Sequence, residues 1–266
     1  MLVNCQGLDL SEAFLRVSKA ISNKITNPIL EGIKIVAEDG TLTMSATDSE
    51  LSIEKKIKAD VKIEGETVVP GRFITEFVKK LTNSEIELSL NEKNQLVIKY
   101  EDSQSMIQCY NPIEYPGFKK IETDQYFGIT KKDFKTCVNK SIFAVATDDS
   151  RPILKGVLFD IDKNELSTVA LDGYRLARVK KNIVSNIKKS IVVPARSLSE
   201  ISKLIDDSDE MINIYIDTYT IMIDLGDTKV TSRLLEGDYI NYKQIIPMNY
   251  ETFVVINKEQ FEEALE

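Results

Sequence analysis

The sequence predicts an α+β protein made of two copies of one domain, each with two helices packed against antiparallel β-sheets. An internal repeat, helix-spaced apolar residues and short alternating segments carry this prediction. The chain has 266 residues, of which 42% are hydrophobic and 29% are charged. That length suits about two domains, each large enough to bury its own core.

The repeat has a constant spacing of 124 residues. Asn27–Ile33 recurs as Arg151–Val157, and Val68–Arg72 recurs as Val192–Arg196. The same shift aligns Leu42 with Leu166, Ala46 with Ala170, Asp48 with Asp172, Glu76 with Glu200, Lys79 with Lys203 and Tyr115 with Tyr239. Self-similarity at a fixed, domain-sized period indicates a duplicated module. We therefore expect one domain over residues 1–125 and a second over 126–250.

A third copy is expected to begin over residues 251–266. Ile256–Leu265 is similar to Ile129–Val138, with Asn257 and Thr130 as candidate helix N-caps. The sequence stops inside this helix, after about two turns of 3.6 residues, which suggests a fragment of a longer protein. The alternative is a short final helix that packs on the second domain.

Each copy has two segments whose apolar residues recur at helical spacing. Pro70 is expected to open the second helix of the first copy, since proline is favoured in a first helical turn. The apolar faces in the first copy are Leu10, Ala13, Phe14, Val17 and Ile21, then Ile74, Phe77, Val78 and Leu81. Those in the second copy are Phe134, Val138 and Ile142, then Leu198, Ile201, Leu204 and Ile205.

Strands are predicted between the helices, from alternating or β-branched character. In the first copy they cover 33–37, 42–46, 51–57, 86–90, 96–100 and 106–109. Glu38–Gly40 is expected to form the turn between the first two. The order helix, strands, helix, strands is typical of an α+β domain.

Composition excludes several kinds of chemistry. Histidine is absent, which removes catalytic triads and metal sites that depend on imidazole. The three cysteines, Cys5, Cys109 and Cys137, are odd in number and far apart, which argues against disulfides and thiolate metal sites. The sequence contains neither a signal peptide nor a membrane span of ~20 apolar residues, and no phosphate-binding glycine motif. We expect a cytoplasmic protein without cofactor, metal or membrane association.

The net charge of −8 argues by itself against a nucleic-acid partner. The predicted helices, however, carry a net +6, which leaves −14 for the rest. Their basic residues are Arg16, Lys19, Lys24, Arg72, Lys79, Lys80, Lys131, Lys132, Lys135, Lys140, Arg196 and Lys203, and their acidic residues are Asp9, Glu12, Glu76, Asp133, Glu200 and Asp206. If the helices share one face, that face attracts a polyanion. The alternative is that each helix has an ordinary solvated polar face.

Several strings resemble the bacterial sliding clamp family, the beta subunit of DNA polymerase III. They are Arg151–Phe159, Ala170–Ala177, Ile191–Arg196 and Leu235–Tyr242, the last followed by Ile245–Pro247. The resemblance implies a non-catalytic processivity factor, with three similar domains per subunit and a homodimeric ring around double-stranded DNA. The implied protein partners are the DNA polymerase III catalytic subunit, the clamp loader, repair polymerases and mismatch-repair proteins.

Such a ring needs only weak contacts to phosphate that read no sequence. Lys24 matches a position that touches DNA in the family, and cations of the helices are expected to face DNA as well. The complete set of DNA-facing candidates is Lys24, Arg72, Lys79, Lys80, Lys131, Lys135, Lys140, Arg196 and Lys203.

The family's second site is a groove for short peptides, on the second domain and its boundary with the third. Carried over residue by residue, it comprises Leu154, Leu171, Gly173, Tyr174, Arg175, Leu176, Ile240 and Ile245. Ile240 stands where relatives often have proline, and the third-domain part is missing, so we expect reduced affinity. Without the family, Asp172–Gly173 is simply a hairpin turn.

Two other functions stay open at this stage. Asp48, Asp148, Asp149 and Asp172 could hold Mg²⁺ for phosphodiester hydrolysis, although the repeat relation of Asp48 to Asp172 favours a shared turn role. The second is a two-domain adaptor that binds proteins and never surrounds DNA.

Overall fold

The computed structural model describes residues 1–21, 27–118, 121, 123–185 and 187–266. The first copy contains β1 (Leu2–Gln6), α1 (Gly7–Val17), β2 (Gly32–Glu38), β3 (Thr41–Thr47), β4 (Leu51–Lys58), β5 (Asp60–Ile63), β6 (Gly65–Pro70), α2 (Gly71–Val78), β7 (Glu85–Leu90), β8 (Gln95–Tyr100) and β9 (Ser103–Gln108).

The second copy repeats this order of elements. It contains β10 (Tyr126–Thr130), α3 (Lys131–Asn139), β11 (Gly156–Asp162), β12 (Glu165–Leu171), β13 (Leu176–Asn182), β14 (Val184–Ser185), β15 (Lys188–Pro194), α4 (Ala195–Leu204), β16 (Met211–Ile216), β17 (Thr220–Asp224) and β18 (Thr228–Arg233). Two short helices follow, α5 (Tyr242–Ile245) and α6 (Lys258–Leu265). Within the described residues, each copy is one strand, one helix, five strands, one helix and three strands.

All strand pairs are antiparallel, and equivalent strands pair in both copies. The first copy forms a five-stranded sheet in the order β5-β1-β7-β8-β9 and contributes the run β4-β3-β2-β6. The second copy contributes the run β14-β10-β16-β17-β18 and forms a four-stranded sheet in the order β13-β12-β11-β15. The duplication and the α+β class are therefore both present in the fold.

The two copies share one sheet. Strand β18 of the second copy pairs with β4 of the first, which joins the two runs into nine strands. The register places Val230 opposite Ile53, and both side chains are fully buried. Lys55 adds an ion pair with Asp227, 2.6 Å from Nζ to Oδ2. A main-chain ladder with an apolar core thus fixes the orientation of one copy on the other.

The helices pack their predicted faces against the sheets. Leu10, Ala13, Phe14 and Val17 of α1 are buried, as are Ile74 and Val78 of α2. The second copy buries the matching residues Phe134, Val138, Leu198, Ile201 and Leu204. These side chains belong to one core that runs through both copies.

Helix ends differ from the sequence prediction at five places. Pro70 is the last residue of β6 and the N-cap of α2, because it pairs with Gly32 in the ladder and the helix begins one residue later. Ile21 and Ile142 lie beyond α1 and α3, and Leu81 and Ile205 are buried but lie beyond α2 and α4. Ser18 Oγ donates to Leu15 O at 3.0 Å, and Ser141 Oγ donates to Cys137 O at 2.6 Å. Serine bonds of this kind to the preceding turn favour a helix end.

The predicted strands are all present, and the Glu38–Gly40 turn is confirmed. Asp39 and Gly40 both have positive φ, 47° and 69°, as a tight hairpin between twisted strands requires. The sequence analysis missed the strand that opens each copy, β1 and β10. It also missed the strand that runs into the second helix, β6 in the first copy.

The candidate N-caps are confirmed as well. Thr130 Oγ1 accepts the Asp133 N–H at 3.1 Å, and Asn257 Oδ1 accepts the Gln260 N–H at 3.1 Å. Helix α6 buries none of its residues, so it does not pack on the second copy in the way that the alternative required. Among the described residues, no helix combines the length and apolar character that a membrane crossing requires.

Candidate nucleic-acid interface and apolar groove

The four main helices lie side by side. Within each copy the two helices pack together, α1 with α2 and α3 with α4. Between copies, Arg16 Nη1 donates to Leu204 O at 3.2 Å, which joins the end of α1 to the end of α4. The order along this surface is α2, α1, α4, α3. We call it the helical wall, and its polar side faces away from the sheets because the opposite side of each helix is buried.

Several DNA-facing candidates are exposed on this wall. Arg72 is the second residue of α2, and Lys79 and Lys80 follow its last turn, all three exposed. Lys140 caps the end of α3 and is also exposed. Lys203 is exposed on α4. Lys24 lies outside the described residues.

Exposed cations on the wall are partly balanced by acids one turn away. Lys79 Nζ lies 2.5 Å from Glu76 Oε1, and Lys203 Nζ lies 2.7 Å from Glu200 Oε1. The repeat therefore duplicates an ion pair as well as a backbone. Such exposed pairs are weak, on the order of 0.2–1 kcal/mol, so phosphate can compete for either lysine.

Lys131 and Lys135 are held by acids from the loop after α4. Lys131 Nζ lies 2.6 Å from Glu210 Oε2 and 3.0 Å from Asp206 Oδ2, and only 11% of its side chain is exposed. Hydrogen bonds to Glu210 and Asp206 raise the pKa of Lys131. Lys135 Nζ lies 3.0 Å from Asp207 Oδ2. These two lysines tie α3 to the loop and present little free charge.

Arg196 joins the two copies. Its guanidinium forms an ion pair with Asp48, whose side chain is only 4% exposed. Asp48 Oδ1 also accepts the N–H groups of Glu50 and Leu51, at 2.9 and 2.8 Å. Arg196 therefore stabilises the junction between the copies, a role that its position on a basic helix did not predict.

The groove candidates lie on the face of the four-stranded sheet that points away from the main core. Leu154 and Leu171 are buried there in an apolar cluster with Leu158, Val169, Val192 and Tyr242. Leu176 and Ile240 pack against this cluster and stay partly exposed. Ile245 does not join it and is 51% exposed, because α5 turns Tyr242 and Ile246 inward instead.

The polar end of the groove is the β12–β13 hairpin turn. Asp172 Oδ1 accepts the N–H groups of Tyr174 and Arg175, at 2.9 and 3.0 Å, and these bonds lower the pKa of Asp172. Gly173 has φ +96°, which glycine adopts at no steric cost. Tyr174 is 99% exposed at the tip. The hairpin that the residues alone predicted is present, and it forms the rim of an apolar patch.

Arg175 is held in place from two sides. Its Nε lies 3.0 Å from Asp172 Oδ2, and its guanidinium carbon lies 5.6 Å from the centroid of the Phe143 ring. Phe143 is 56% exposed, and no sequence motif pointed to it. A pre-positioned guanidinium beside an aromatic ring suits recognition of a polar peptide group.

A tyrosine repeated in both copies fixes the segment that covers the sheet. Tyr239 OH donates to Val169 O at 3.3 Å, and Tyr115 OH donates to Gly32 O at 3.2 Å. Burial raises the pKa of each hydroxyl to about 12. The alignment of these tyrosines in the sequence thus reflects one shared anchoring role.

A cavity of about 620 Å³ lies beside the groove, under residues 234–243. Of the groove candidates only Ile240 lines it. Asp160 at its wall accepts hydrogen bonds from Tyr242, Ser190 and Lys243, at 2.8, 2.9 and 3.0 Å. Burial raises the pKa of Asp160, but these three donors outweigh burial and hold it below its usual value. The sequence analysis did not identify this cavity.

The carboxylates that the nuclease hypothesis assigned to Mg²⁺ instead form hydrogen bonds and ion pairs within the fold. Asp48 and Asp172 each accept the N–H groups two and three residues ahead. Asp148 bonds Ser150, and Asp149 pairs with Lys155. In the part of the chain that the structure describes, no three acidic or cysteine side chains are grouped to hold a metal ion.

Comparison with known proteins places these features in one family. Residues 1–119 match the model of the DNA polymerase III beta subunit N-terminal domain, and residues 128–241 match that of its central domain. A beta sliding clamp of Staphylococcus epidermidis is 35% identical over 93% of this chain and 68% of its own length. One from Halalkalibacterium halodurans is 34% identical over 94% of this chain and 69% of its own.

Solved structures of sliding clamps have the same fold as this chain. The DNA polymerase sliding clamp of Bacillus subtilis superposes with a TM-score of 0.96 at 31% identity, covering 100% of this chain and 72% of the clamp. A Pseudomonas aeruginosa sliding clamp bound to griselimycin gives 0.92 at 25% identity, covering 99% of this chain and 72% of that one.

Tandem α+β modules with a shared helical wall define a processivity clamp, a class of protein that tethers other enzymes and performs no chemistry itself. This chain belongs to the DNA polymerase III beta subunit family, the beta sliding clamps. It is thus a non-catalytic accessory subunit, and the resemblance seen in the sequence is confirmed. The nuclease hypothesis was wrong.

The junction ion pair gives a testable difference between two repeat-related aspartates. D48A removes two backbone caps and the Arg196 pair between copies, whereas D172A removes the equivalent caps and a local ion pair with Arg175 inside one copy. Water can replace the lost acceptor, so each cap at Asp48 contributes about 0.5–1.5 kcal/mol, and the half-exposed Arg196 adds about 1 kcal/mol or less. In urea unfolding, we expect D48A to lower the free energy of unfolding by more than D172A does. The effect of R196A on this free energy should add to that of D172A but not to that of D48A. Equal losses for the two aspartate variants would show that the pair between copies contributes no more than the local pair of Asp172 with Arg175.

Proposed function

We propose that the chain supplies an arc of a ring that surrounds duplex DNA and slides along it. The helical wall is the observation that carries this proposal. Four helices from two copies stand in one row, with Arg72, Lys79, Lys80, Lys140 and Lys203 exposed on or beside them. Cations collected on one surface of an acidic protein attract a polyanion to that surface only.

Ring closure follows from the junction between the copies. Strand β9 of the first copy is equivalent by the repeat to β18 of the second. Strand β13 of the second copy is likewise equivalent to β4 of the first. Both lie at sheet edges. Because β18 and β4 pair with each other, the same geometry lets β9 and β13 each accept a strand from a further copy of the module. A homodimeric ring with domains at 1–125, 126–250 and from 251 onward satisfies both edges.

Weak attraction is the physical requirement of such a ring. The wall holds its cations beside acids such as Glu76 and Glu200, which keeps the local field small. The side chains of Lys131 and Lys135 are mostly buried, and Arg196 is held by the nearly buried Asp48. We therefore assign the DNA contacts to the exposed Lys79, Lys80, Lys140 and Lys203, together with Arg72 and Lys24. Phosphate contacts of this kind carry no sequence preference.

A triple variant tests the DNA contacts. K79A/K80A/K140A should weaken binding of a fluorescent duplex and flatten its salt dependence, because each phosphate contact contributes ~0.9 to the slope of log K against log salt. Fluorescence anisotropy over a range of salt concentrations measures both quantities. K93A, in the exposed β7–β8 turn, is the control and should bind as the parent does. An unchanged slope in the triple variant would favour the adaptor that never surrounds DNA.

The groove is the proposed docking site for partner proteins. Leu154, Leu171, Leu176 and Ile240 provide apolar contact surface, and Arg175 and the turn provide polar groups. An extended peptide with leucine or aromatic anchors fits this combination. The partners we propose are the DNA polymerase III catalytic subunit, the clamp loader, repair polymerases and mismatch-repair proteins. Such partners act on the chromosome, so we propose a cytoplasmic location.

Two exposed tyrosines distinguish the groove from the neighbouring cavity. Tyr174 and Tyr219 occupy the same position in similar turns, each donating its N–H to an aspartate two residues earlier, at 2.9 and 2.7 Å. With a glutamine- and leucine-rich peptide, Y174A should raise the Kd about fivefold, a loss near 1 kcal/mol, and Y219A should leave it unchanged. Peptide anisotropy measures this. The opposite ranking would move the docking site into the cavity, and no binding at high micromolar protein would refute a usable groove.

A further inference from the structure

The helical wall has an indentation where the two copies meet. A cleft of about 500 Å³ separates α1 from α4. Leu8, Leu15 and Leu204 give it an apolar lining, and Ser11 adds a hydroxyl. Leu8 is 50% exposed, so this lining is open to solvent.

Three cations line the same cleft: Arg16 and Lys19 from the first copy, and Lys203 from the second. Glu12 lines the cleft with them. Arg16 Nε lies 2.7 Å from Glu12 Oε1, and Lys203 pairs with Glu200. Lys19 forms no ion pair with any described residue, so its ammonium group is the one cation of the cleft that no carboxylate there contacts directly.

Lys19 is in an unfavourable environment without an anion. Burial lowers its pKa, and the charges of Lys203 and Arg16 lower it further, although Glu200 acts in the opposite direction. An ammonium group that is partly shielded from water interacts more strongly with an opposite charge than a fully solvated one does. An anion in the cleft would therefore gain more from Lys19 than from a lysine on the open wall.

We propose that this cleft is a phosphate-binding site, in which Lys19 contacts a backbone phosphate of duplex DNA between Arg16 and Lys203. The proposal rests on the function given above and makes it more specific. The cleft lies on the wall that faces DNA, and its volume leaves room for a phosphate together with the sugars on either side. Sugar edges can lie on Leu8 and Leu15. The wall then has one preferred contact at the junction of the copies, within an otherwise diffuse field.

Three single lysine variants test the site against diffuse attraction. In fluorescence anisotropy with a duplex at low salt, K19A should raise the Kd at least fivefold. K140A removes a lysine from the same wall outside the cleft and should raise it less than twofold. K93A, on a sheet turn, should have no effect. K19R keeps the charge and should restore most of the affinity, which separates loss of the contact from loss of folding.

The outcomes of these measurements separate failure of the cleft proposal from failure of the proposed function. Equal small effects of K19A and K140A would overturn the cleft and leave the diffuse wall standing. No effect of K19A, K140A or the K79A/K80A/K140A variant would overturn the proposed function itself.

A second measurement identifies the source of the phosphate. Lysines carrying ¹³C-methyl groups give separate NMR signals, and K19R identifies that of Lys19. We expect this signal to shift on addition of a short duplex, and to shift much less with inorganic phosphate at the same ionic strength. Saturation by inorganic phosphate at similar concentration would show a simple anion site and contradict the assignment to duplex DNA.

Discussion

The main-chain ladder between β18 and β4 is the constraint on which the rest of the structure depends. It turns two separate modules into one sheet of nine strands and buries Ile53 and Val230 completely. Burial of each such side chain stabilises the fold as a whole by roughly 1.5–3 kcal/mol. Because the ladder sets the rotation of one copy on the other, it also brings α1 beside α4. Without that pairing, the four helices would form two unrelated pairs, and no common wall would exist.

The charges on the helical wall must attract DNA and still allow the protein to slide along it. A ring that moves along DNA needs enough positive charge to keep the duplex centred and too little to hold it in one place. The structure meets this need by placing acids beside some of the wall cations, as Glu76 and Glu200 show. Elsewhere it uses cations to build the frame, since Arg196 joins the copies and Lys131 holds the loop after α4.

Much of this could be predicted from the sequence, because the repeat spacing and the apolar periodicity are local signals. The helix faces, most strands and the hairpin turns were found in this way. Leu154, Leu171, Leu176 and Ile240, which the family resemblance supplied, do come together. What failed depends on distant contacts. The acids that neutralise Lys131 lie more than 70 residues away in the chain, and Asp48 lies in the other copy from Arg196. The pairing of β18 with β4 and the cleft beside Lys19 both form between the copies, so the sequence of one copy alone does not predict either.

Native-state hydrogen exchange at the junction tests the central claim most directly. The Arg233 N–H donates to Glu50 O at 2.8 Å, and the Lys56 N–H donates to Asp227 O at 2.9 Å, so each amide bonds the other copy. If the nine strands form one cooperative sheet, both amides should open only at a free energy close to that of interior strands β3 and β17. Exchange as fast as that of the solvent-facing amides of edge strand β9 would show that the copies are only loosely attached, and would contradict the shared wall.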